Sequence, residues 1–369
     1  MEGDLLLASD PDHVVPPFTP FSAILARLMS GPWTRLRALA APAEERDRRR
    51  RALRLAGLAV VVAFAAVAAA RVDLGAVARS VASAHPGHLS VAVAACVANL
   101  VFHAWRWAAV VPPRPRRVDA RAVLDAMVAG FAVGIVVPAR AGDLVRAHLL
   151  ARRAGLSTAA VVGAAAVDYV LGTATLVPLI VVTGVATPLP DWARHALLVT
   201  SIGAAAGIAL VFLLRPARAP SAEREAGAPP EAGGLVARVR SGLAAAHDPL
   251  ALGRAFGWGL AGWAAELAMA WATLAAVGVE PTLPLASLVV VATAAANAAA
   301  VSPGNAGPFE LAAMLPLTGV GVAPAPALAF ALLLHLVHLA PAAALGGLAL
   351  WREARGDAGG ALRAGEEAR

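Results

Sequence analysis

Long apolar runs separated by short polar segments dominate the pattern along this chain. Several of these runs reach the length of about 20 residues that an α-helix needs to cross the hydrocarbon of a bilayer. They lack the period-two alternation that marks the strands of a membrane barrel. The pattern therefore predicts an all-α integral membrane protein with about six full transmembrane helices, at residues 53–70, 88–111, 158–186, 195–214, 254–278 and 324–350.

Two further apolar stretches, residues 122–137 and 285–318, are short or interrupted. Basic residues flank the first stretch on both sides, and a single crossing would place one basic flank outside the cell. We therefore predict a re-entrant hairpin for the first stretch. We predict a second hairpin for the other stretch, because an even number of crossings must precede the last span if the chain is to end inside. A pair of full spans in place of each hairpin preserves the same parity and stays an alternative. The predicted hairpin breaks contain Pro138 and Gly142 in the first, and Pro303, Gly304 and Gly307 in the second.

Both breaks contain the pattern Pro-x-x-x-Gly, and each lies between two predicted spans. By the count of crossings, the first unit of span, hairpin and span is entered from outside and the second from inside. The two units would then form an inverted repeat, an arrangement typical of transporters.

The composition agrees with a membrane location. Of the 369 residues, 59% are hydrophobic and 5% aromatic, and the mean hydropathy is +0.70, which is more apolar surface than one soluble core can bury. The formal net charge is +7, and the arginines gather at span ends instead of spreading as in a nucleic-acid surface. We therefore expect no nucleic-acid partner, and a multi-pass protein of a bacterial-type plasma membrane with both termini in the cytoplasm.

Three regions follow from these boundaries. Residues 1–51 are expected to form a cytoplasmic N-terminal tail with an amphipathic basic helix from Phe21, while disorder fits the beginning of the tail equally well. Residues 52–351 form the membrane domain, within which residues 215–253 are a cytoplasmic linker with one short helix. Residues 352–369 form a cytoplasmic C-terminal tail.

Four ionisable residues stand out within the predicted spans, where a charged side chain costs about 2.5–3.5 kcal/mol on insertion scales. Asp168 and Glu266 lie well inside their spans, and His335 and His338 share one face of the last span at i, i+3. One interpretation is a polar cavity in which a lipid headgroup or a proton is handled. The alternative is structural pairing, such as Asp168 with a histidine or Glu266 with a broken backbone.

The two predicted hairpins add further polar groups. The first has Arg140 in its break, and Asp143 and Arg146 open the following helix; helix-start N–H groups and guanidinium groups suit a phosphate. The alternative for these arginines is the positive-inside rule alone, and for the second hairpin it is an extracellular turn. We predict a substrate-binding set made of Arg140, Asp143, Arg146, Asp168, Glu266, Asn305, Glu310 and His335.

Other kinds of site have little support in the sequence. Arg106 lies between Trp105 and Trp107 near the end of the second span, and we interpret this segment as an aromatic belt with a snorkelling arginine. The single cysteine, Cys96, lies inside the same span, so we expect it to fill space and form no disulfide. Because no P-loop, zinc motif or nucleophile elbow is present, we expect no cofactor, no metal, no catalytic residue and no enzyme activity.

The hairpin motifs resemble those of a known family. The sequence PARAGDLVR at residues 138–146 is followed by GLS at 155–157, and PGNAGPFE at 303–310 precedes the last span. Together with Arg106-Trp107 at the end of a span, these motifs are similar to the membrane domain of lysylphosphatidylglycerol synthase and its stand-alone, flippase-like relatives. The resemblance covers about residues 52–351 and implies lipid translocation. It implies no aminoacylation, because the lysine-transferring domain of the two-part synthases is missing.

The chain departs from the family pattern at two places. Where the family usually has Glu-Arg followed shortly by Asp, this chain has Asp168-Tyr169 and then Gly172, and His335 stands where the family tends to have Arg. If these positions hold the headgroup in relatives, a different substrate is expected here.

The sequence thus predicts a lipid translocase that handles a phospholipid or a polyprenyl phosphate. The alternative is a non-transporting partner that presents a lipid-linked substrate to a separate enzyme such as a glycosyltransferase. An intramembrane enzyme is disfavoured because no nucleophile and base pair is visible. The expected partners are membrane lipids, with a lipid-modifying enzyme and a second copy of the chain as candidates, and the absence of an ATP motif predicts passive or ion-driven transport.

Overall fold

The protein is helical throughout the part that the structure describes. A computed structural model describes residues 43–112, 119–137, 141–186, 191–214, 234–299 and 302–367, and these ranges contain no strands. Their α-helices are α1 (Ala43–Arg71), α2 (Leu74–Ala82), α3 (Pro86–Val110), α4 (Ala120–Val136), α5 (Ala141–Ala154), α6 (Thr158–Ala186), α7 (Asp191–Leu214), α8 (Leu235–Gly242), α9 (Pro249–Ala276), α10 (Leu283–Ala299), α11 (Pro308–Gly319) and α12 (Pro324–Glu367). Two short 3₁₀ helices, Leu243–His247 and Pro303–Asn305, precede α9 and α11. The predicted all-α class is confirmed.

Three of the described helices have the length and apolar composition of membrane spans. They are α3 over Pro86–Val110, α6 over Thr158–Val181 and α12 over Pro324–Arg355. α1 and α2 pass the same test only together, as an apolar pair bent by 96°. α7 contains the predicted fourth span, and α9 contains the predicted fifth span except for its last two residues. The chain is therefore a multi-pass membrane protein, and the number of six crossings stays a prediction.

Short polar signals set where the helices begin. Asp73, Asp119 and Asp248 each accept a hydrogen bond from the backbone N–H three residues further on, at 3.0, 2.7 and 3.0 Å. These aspartates are N-caps of α2, α4 and α9. A proline near the first position begins α3, α9 and α11, where its missing N–H removes no intrahelical bond.

The two predicted hairpins are helix pairs with arms shorter than a full span. α4 and α5 contain 17 and 14 residues, and α10 and α11 contain 17 and 12. At a rise of about 1.5 Å per residue the longest of these arms is about 25 Å, below the hydrocarbon thickness of about 30 Å. Gly142 lies in the first turn of α5, while Pro138 and Arg140 of the first break lie outside the described residues.

Glycines allow the arms of the first hairpin to touch. A Cβ on Gly130 of α4 would lie 2.7 Å from the carbonyl oxygen of Gly142, and one on Gly142 would lie 2.0 Å from the carbonyl oxygen of Gly130. Both distances are too short for a real side chain, so the two backbones meet only because both residues lack a Cβ. The first hairpin thus folds α5 directly back onto α4.

The helices around the two hairpins make matching contacts. We call α3–α6 the first set and α9–α12 the second set. In chain order, α3, α4, α5 and α6 correspond to α9, α10, α11 and α12. The two first helices, α3 and α9, pack extensively against each other. Between the sets, the contact of α4 with α12 corresponds to that of α10 with α6, and the contact of α3 with α12 corresponds to that of α9 with α6. Within the sets, α4 with α5 matches α10 with α11, and α5 with α6 matches α11 with α12. The two sets are therefore related in packing as well as in helix order.

Two long helices cross the predicted region boundaries, which stay predictions. α1 begins at Ala43 and α12 continues to Glu367, so both helices pass beyond the predicted membrane-domain limits of 52 and 351 without a break. The predicted short helix of the 215–253 linker is present as α8, and it packs against α6, where Gly242 would place a Cβ 2.0 Å from the carbonyl oxygen of Ala160. The predicted amphipathic helix from Phe21 lies outside the described residues.

Candidate functional site

Three polar side chains share one face of α3. Asn99, His103 and Arg106 follow each other at i, i+4 and i+7, the spacing that stacks residues on one side of a helix. Arg106 is only 6% exposed, so the prediction that it snorkels at the membrane interface is wrong. Trp105 beside it is 37% exposed while Trp107 is fully buried, so the two tryptophans lie in different environments and do not form one interfacial belt. Asn99 and His103 are half-buried. The three residues begin a series of polar side chains inside the bundle that we call the polar line, and it continues through Asp168, Arg146, Glu266, His338, Glu310 and His335.

Arg106 forms a fork with Asp168 on α6. Its Nε donates to Oδ1 at 2.7 Å and its Nη2 donates to Oδ2 at 3.3 Å, and Asp168 is only 1% exposed. The second nitrogen also lies 3.3 Å from Nδ1 of His103; since a guanidinium can only donate, Nδ1 is the acceptor. Gly172 leaves room for this arginine, because a Cβ there would lie 2.9 Å from Nη1.

Arg146 on α5 extends the same cluster. Its Nη1 lies 3.8 Å from Asp168 Oδ2 and its Nε lies 3.1 Å from Asp143 Oδ1. Three of the predicted binding residues, Asp143, Arg146 and Asp168, are thus brought together. The guanidinium carbon lies 4.9 Å from the ring centroid of Trp107 and 5.5 Å from that of Tyr169, which are cation–π distances.

Two buried N–H donors in this cluster have no acceptor among the described residues. The Arg146 Nε contact with Asp143 is an ion pair without a hydrogen bond, and the indole Nε1 of Trp107 has no hydrogen-bond partner either. Leaving a buried donor unsatisfied costs about 1–3 kcal/mol. The Arg146 guanidinium carbon lies 4.9 Å from the centroid of the Trp107 ring, so the two donors are neighbours in this cluster.

Glu266 on α9 forms the middle of the polar line. Its Oε2 accepts a hydrogen bond from Asn99 Nδ2 at 3.1 Å, and its Oε1 lies 2.6 Å from His338 Nε2. The other nitrogen of His338 lies 2.8 Å from the carbonyl oxygen of Leu334, one turn earlier in α12. Glu266 therefore joins α3, α9 and α12, rather than a broken backbone.

Glu310 and His335 connect the second hairpin to α12. Glu310 Oε2 accepts the backbone N–H of Gly307 at 2.7 Å, and Oε1 lies 2.6 Å from His335 Nδ1. His335 Nε2 lies 2.9 Å from the carbonyl oxygen of Gly304. A closed ring of contacts thus runs from the hairpin break through Glu310 and His335 and back to the break. Two residues of the predicted binding set are thus in direct contact.

The break of the second hairpin needs unusual backbone angles. Gly304, Asn305 and Gly307 have φ angles of 57°, 59° and 93°, a region where glycine and asparagine are best tolerated. The 3₁₀ helix Pro303–Asn305 supplies the turn, and Asn305 Nδ2 donates to Asn297 Oδ1 at 2.9 Å. Asn305 thus holds the break to α10, which is a structural contact of a predicted binding residue.

The two sets of helices place acidic and basic residues at matching positions, but in the opposite order. In the first set, the second hairpin arm and the last helix contribute Arg146 and Asp168. In the second set, the same two elements contribute Glu310 and His335. The first and last helices of each set are also joined by a polar pair, Arg106 with Asp168 and Glu266 with His338. From the second hairpin arm to the last helix, the first set thus has a basic residue followed by an acidic one, and the second set has an acidic residue followed by a basic one.

Asn99, His103 and Arg106 were missed as candidate site residues from the sequence. Their spacing on α3 is the signal that identifies them, since three polar residues on one face of an apolar helix must face protein rather than lipid. The tryptophans around Arg106 concealed that signal by their likeness to an interfacial belt.

An apolar groove lies between α3 and α12. Its volume is about 590 Å³, and every residue that lines it is apolar: Leu89, Val93, Val97, Leu333, Leu336, Val337, Ala340, Pro341, Ala344 and Leu345. The lining residue Val97 lies two positions before Asn99 in α3, and Val337 directly precedes His338 in α12. The groove therefore follows the same two helices that carry the middle of the polar line.

Comparison with known proteins agrees with this membrane architecture. No curated protein matches the chain. A family model described as the lysylphosphatidylglycerol synthase TM region matches residues 54–346, which include both hairpins and every residue of the polar line. The chain therefore belongs to the family of the lysylphosphatidylglycerol synthase TM region.

Proposed function

We propose that this protein is a flippase-like translocase that moves a phosphate-bearing lipid headgroup through its polar interior. The observation that carries the proposal is the pair of buried donors on Arg146 and Trp107, which have no acceptor among the residues that the structure describes. A phosphate oxygen accepts hydrogen bonds and carries the negative charge that a guanidinium binds best. A phospholipid and a polyprenyl phosphate both supply this group.

Asp143 explains how the cluster can be buried before a lipid arrives. It is the more exposed of the two carboxylates beside Arg146, with a side chain 25% exposed, and its pairing lacks a hydrogen bond at Nε. We infer that the phosphate replaces this carboxylate, while Asp168 stays bound to Arg106. Arg140, which we predict to assist Arg146, lies outside the described residues.

The lipid tails would stay in the apolar groove between α3 and α12 while the headgroup follows the polar line. A charged headgroup in the hydrocarbon is costly, and the line from Arg146 to Glu310 supplies polar partners across the bundle. The apolar lining of the groove suits an acyl or polyprenyl chain, which loses no hydrogen bond there.

The transporter architecture is part of the proposal. We infer six spans, two re-entrant hairpins and an inverted repeat in a bacterial-type plasma membrane, with both termini in the cytoplasm. The short hairpin arms, the Gly130–Gly142 crossing and the matched contacts of the two sets support it, since repeat-built transporters hold their sites where the repeats meet. We further propose that the protein is no enzyme and that its partners are membrane lipids.

Lipid exchange in liposomes tests the proposal. Vesicles with the purified protein receive headgroup-labelled phosphatidylglycerol or a labelled polyprenyl phosphate, and the exposure of the label is compared with that in empty vesicles. We expect acceleration of at least one lipid. Flat traces with retained lipid binding would instead favour the partner that presents a lipid-linked substrate to a separate enzyme.

Matched tryptophan variants test the phosphate contact. Trp107→Phe keeps an aromatic ring beside Arg146 but removes the indole N–H, which has no acceptor within the described ranges, and Trp105→Phe is its exposed control. We expect Trp107→Phe to weaken lipid binding by about tenfold, in line with the loss of one hydrogen bond to a charged group, and Trp105→Phe to leave it unchanged. Full exchange activity in a folded Arg140→Ala, Arg146→Ala double variant would contradict the phosphate role.

A further inference from the structure

The two histidines of α12 have the same hydrogen-bonding environment. Each has one ring nitrogen on a backbone carbonyl oxygen and the other on a glutamate oxygen at 2.6 Å. The second carboxylate oxygen of each glutamate is also occupied, by the Gly307 N–H for Glu310 and by Asn99 Nδ2 for Glu266. Nothing else within the described residues repeats this arrangement so closely.

The proton content of each pair follows from these contacts. A carbonyl oxygen can only accept, so the nitrogen that faces it must carry a hydrogen. The 2.6 Å contact with the glutamate then needs one more proton, either on the imidazole or on the carboxyl group. Without that proton, a ring lone pair would face a carboxylate oxygen and the contact would become repulsive. Each pair is therefore intact only when it holds one shared proton.

Charge balance points the same way. Arg106 and Arg146 are balanced by Asp143 and Asp168 in the first part of the polar line. The two His–Glu pairs are neutral when each holds its shared proton, and each becomes a net negative charge when it loses the proton. A net charge in the interior of a membrane protein is costly, so loss of the proton favours a rearrangement.

We propose that the His335–Glu310 and His338–Glu266 pairs are proton-binding sites, and that the first pair latches the second hairpin onto α12. When the proton leaves, the ring from Gly304 through His335 and Glu310 to Gly307 opens and frees the break of the hairpin. The biological role of these sites, which is to couple translocation to proton binding, rests on the proposed function. The test of the sites below needs no lipid, so the two proposals can fail separately.

Other ionisable groups face these pairs from the surrounding helices. Cys96 and His103 on α3 lie within electrostatic reach of Glu266. Asp168 on α6, Arg106 on α3 and Arg146 on α5 interact in turn with His103. Between the two pairs lies the Phe309 ring, whose centroid is 4.3 Å from that of His335 and 5.3 Å from that of His338. The two pairs are thus neighbours through one aromatic ring.

Glutamine can imitate the protonated glutamate at both positions. In Glu310→Gln the amide oxygen accepts the Gly307 N–H and the amide N–H donates to His335 Nδ1. In Glu266→Gln the same two groups serve Asn99 and His338. Each variant therefore keeps the contacts and removes the shared proton, which leaves the corresponding pair closed at every pH.

Hydrogen exchange of the backbone across residues 302–311 measures the latch in the purified chain. The exchange rates of wild type and Glu310→Gln are compared as a ratio at each pH, which cancels the intrinsic pH dependence of exchange. We expect the ratio to rise by at least about tenfold as pH increases, which is the effect of losing a hydrogen bond between charged groups. Glu266→Gln, the matched control, should follow wild type in this segment. A ratio that stays constant with pH would overturn the latch.

Proton release provides a second measurement for both pairs. The purified protein is shifted from about pH 6 to about pH 9, where an ordinary carboxyl group has already lost its proton, and an indicator dye counts the protons released. We expect Glu310→Gln and Glu266→Gln each to release about one proton fewer than wild type, by the shared-proton arrangement. Equal release by wild type and both variants would overturn the proton-binding role.

Discussion

Arg106 on α3 and Asp168 on α6 meet in a two-point fork inside the bundle, with Nε on Oδ1 at 2.7 Å and Nη2 on Oδ2 at 3.3 Å. Both side chains are almost completely buried, so neither charge can be hydrated if the other is removed. Without Arg106, the ion pair that Asp168 retains in the described part of the chain is the 3.8 Å contact with Arg146. The pair therefore fixes the orientation of the first and last helices of the first set.

Arg106→Ala should lower the free energy of unfolding by about 3–5 kcal/mol, because it leaves a buried carboxylate without its main partner. Replacing both residues, as Arg106→Met with Asp168→Leu, should recover most of this loss, since neither charge is then buried. Denaturant unfolding of the purified protein in detergent measures both variants.

The exposed pair of Arg79 and Asp73 provides the control for that prediction. Its side chains are 75% and 68% exposed, and its nearest atoms are 3.7 Å apart. Arg79→Ala should change the free energy of unfolding by at most about 1 kcal/mol. An Arg106→Ala variant as stable as Arg79→Ala would show that the buried fork contributes little.

From the sequence, Asp168 was identified as a residue of the membrane interior, whereas Arg106 was wrongly assigned to the membrane interface. Asp168 stands out because it is an acid in the interior of an apolar run, and its burial agrees with that expectation. Arg106 lies near the end of its span, between two tryptophans, where local sequence favours the interface. The choice between water and protein depends on which helix packs beside α3, and a single sequence does not contain that contact.

Packing inside the first hairpin can be tested with two glycines one turn apart in α4. A Cβ on Gly130 would lie 2.7 Å from the Gly142 carbonyl oxygen and 2.8 Å from Arg146 Cβ, whereas one on Gly134 would meet nothing within 4 Å. Gly130→Ala should therefore destabilise the protein by about 1–3 kcal/mol through overpacking. Gly134→Ala should be neutral or stabilising by up to about 1 kcal/mol through helix propensity.

Thermal unfolding of the two glycine variants in the same detergent separates these outcomes. Because both substitutions add one methyl group to the same helix, propensity affects them alike, and the difference between them reports the contact with α5. Equal unfolding temperatures would mean that the arms of the hairpin are further apart than the Gly130–Gly142 crossing implies.

Local sequence predicted where the hairpins break, but it did not predict the contacts of the residues near the breaks. Proline and glycine predicted both breaks because these residues disfavour a continuing helix, and α4, α5, α10 and α11 end or begin beside them. The partners of the break residues are distant in the chain: Glu310 lies 25 positions from His335, and Glu266 lies 72 from His338. Residue type suggested these groups as site residues, but only the packing of α12 against α9 and α11 pairs them.

Adjacent glycines in α12 test its contact with α4, which joins the last helix of the second set to the first hairpin. A Cβ on Gly346 would lie 2.2 Å from the carbonyl oxygen of Val128 and 2.5 Å from Ala132 Cβ, while one on Gly347 would meet nothing within 4 Å. Since a backbone carbonyl cannot rotate away as a flexible side chain can, Gly346→Ala must separate the two helices. We expect it to destabilise the protein by about 1–3 kcal/mol and to reduce lipid exchange if α12 guides the headgroup.

Gly347→Ala, which points to open space, should retain wild-type stability and exchange. A loss of exchange in Gly347→Ala, or its retention in Gly346→Ala despite a lowered unfolding temperature, would separate the role of this contact in stability from any role in transport.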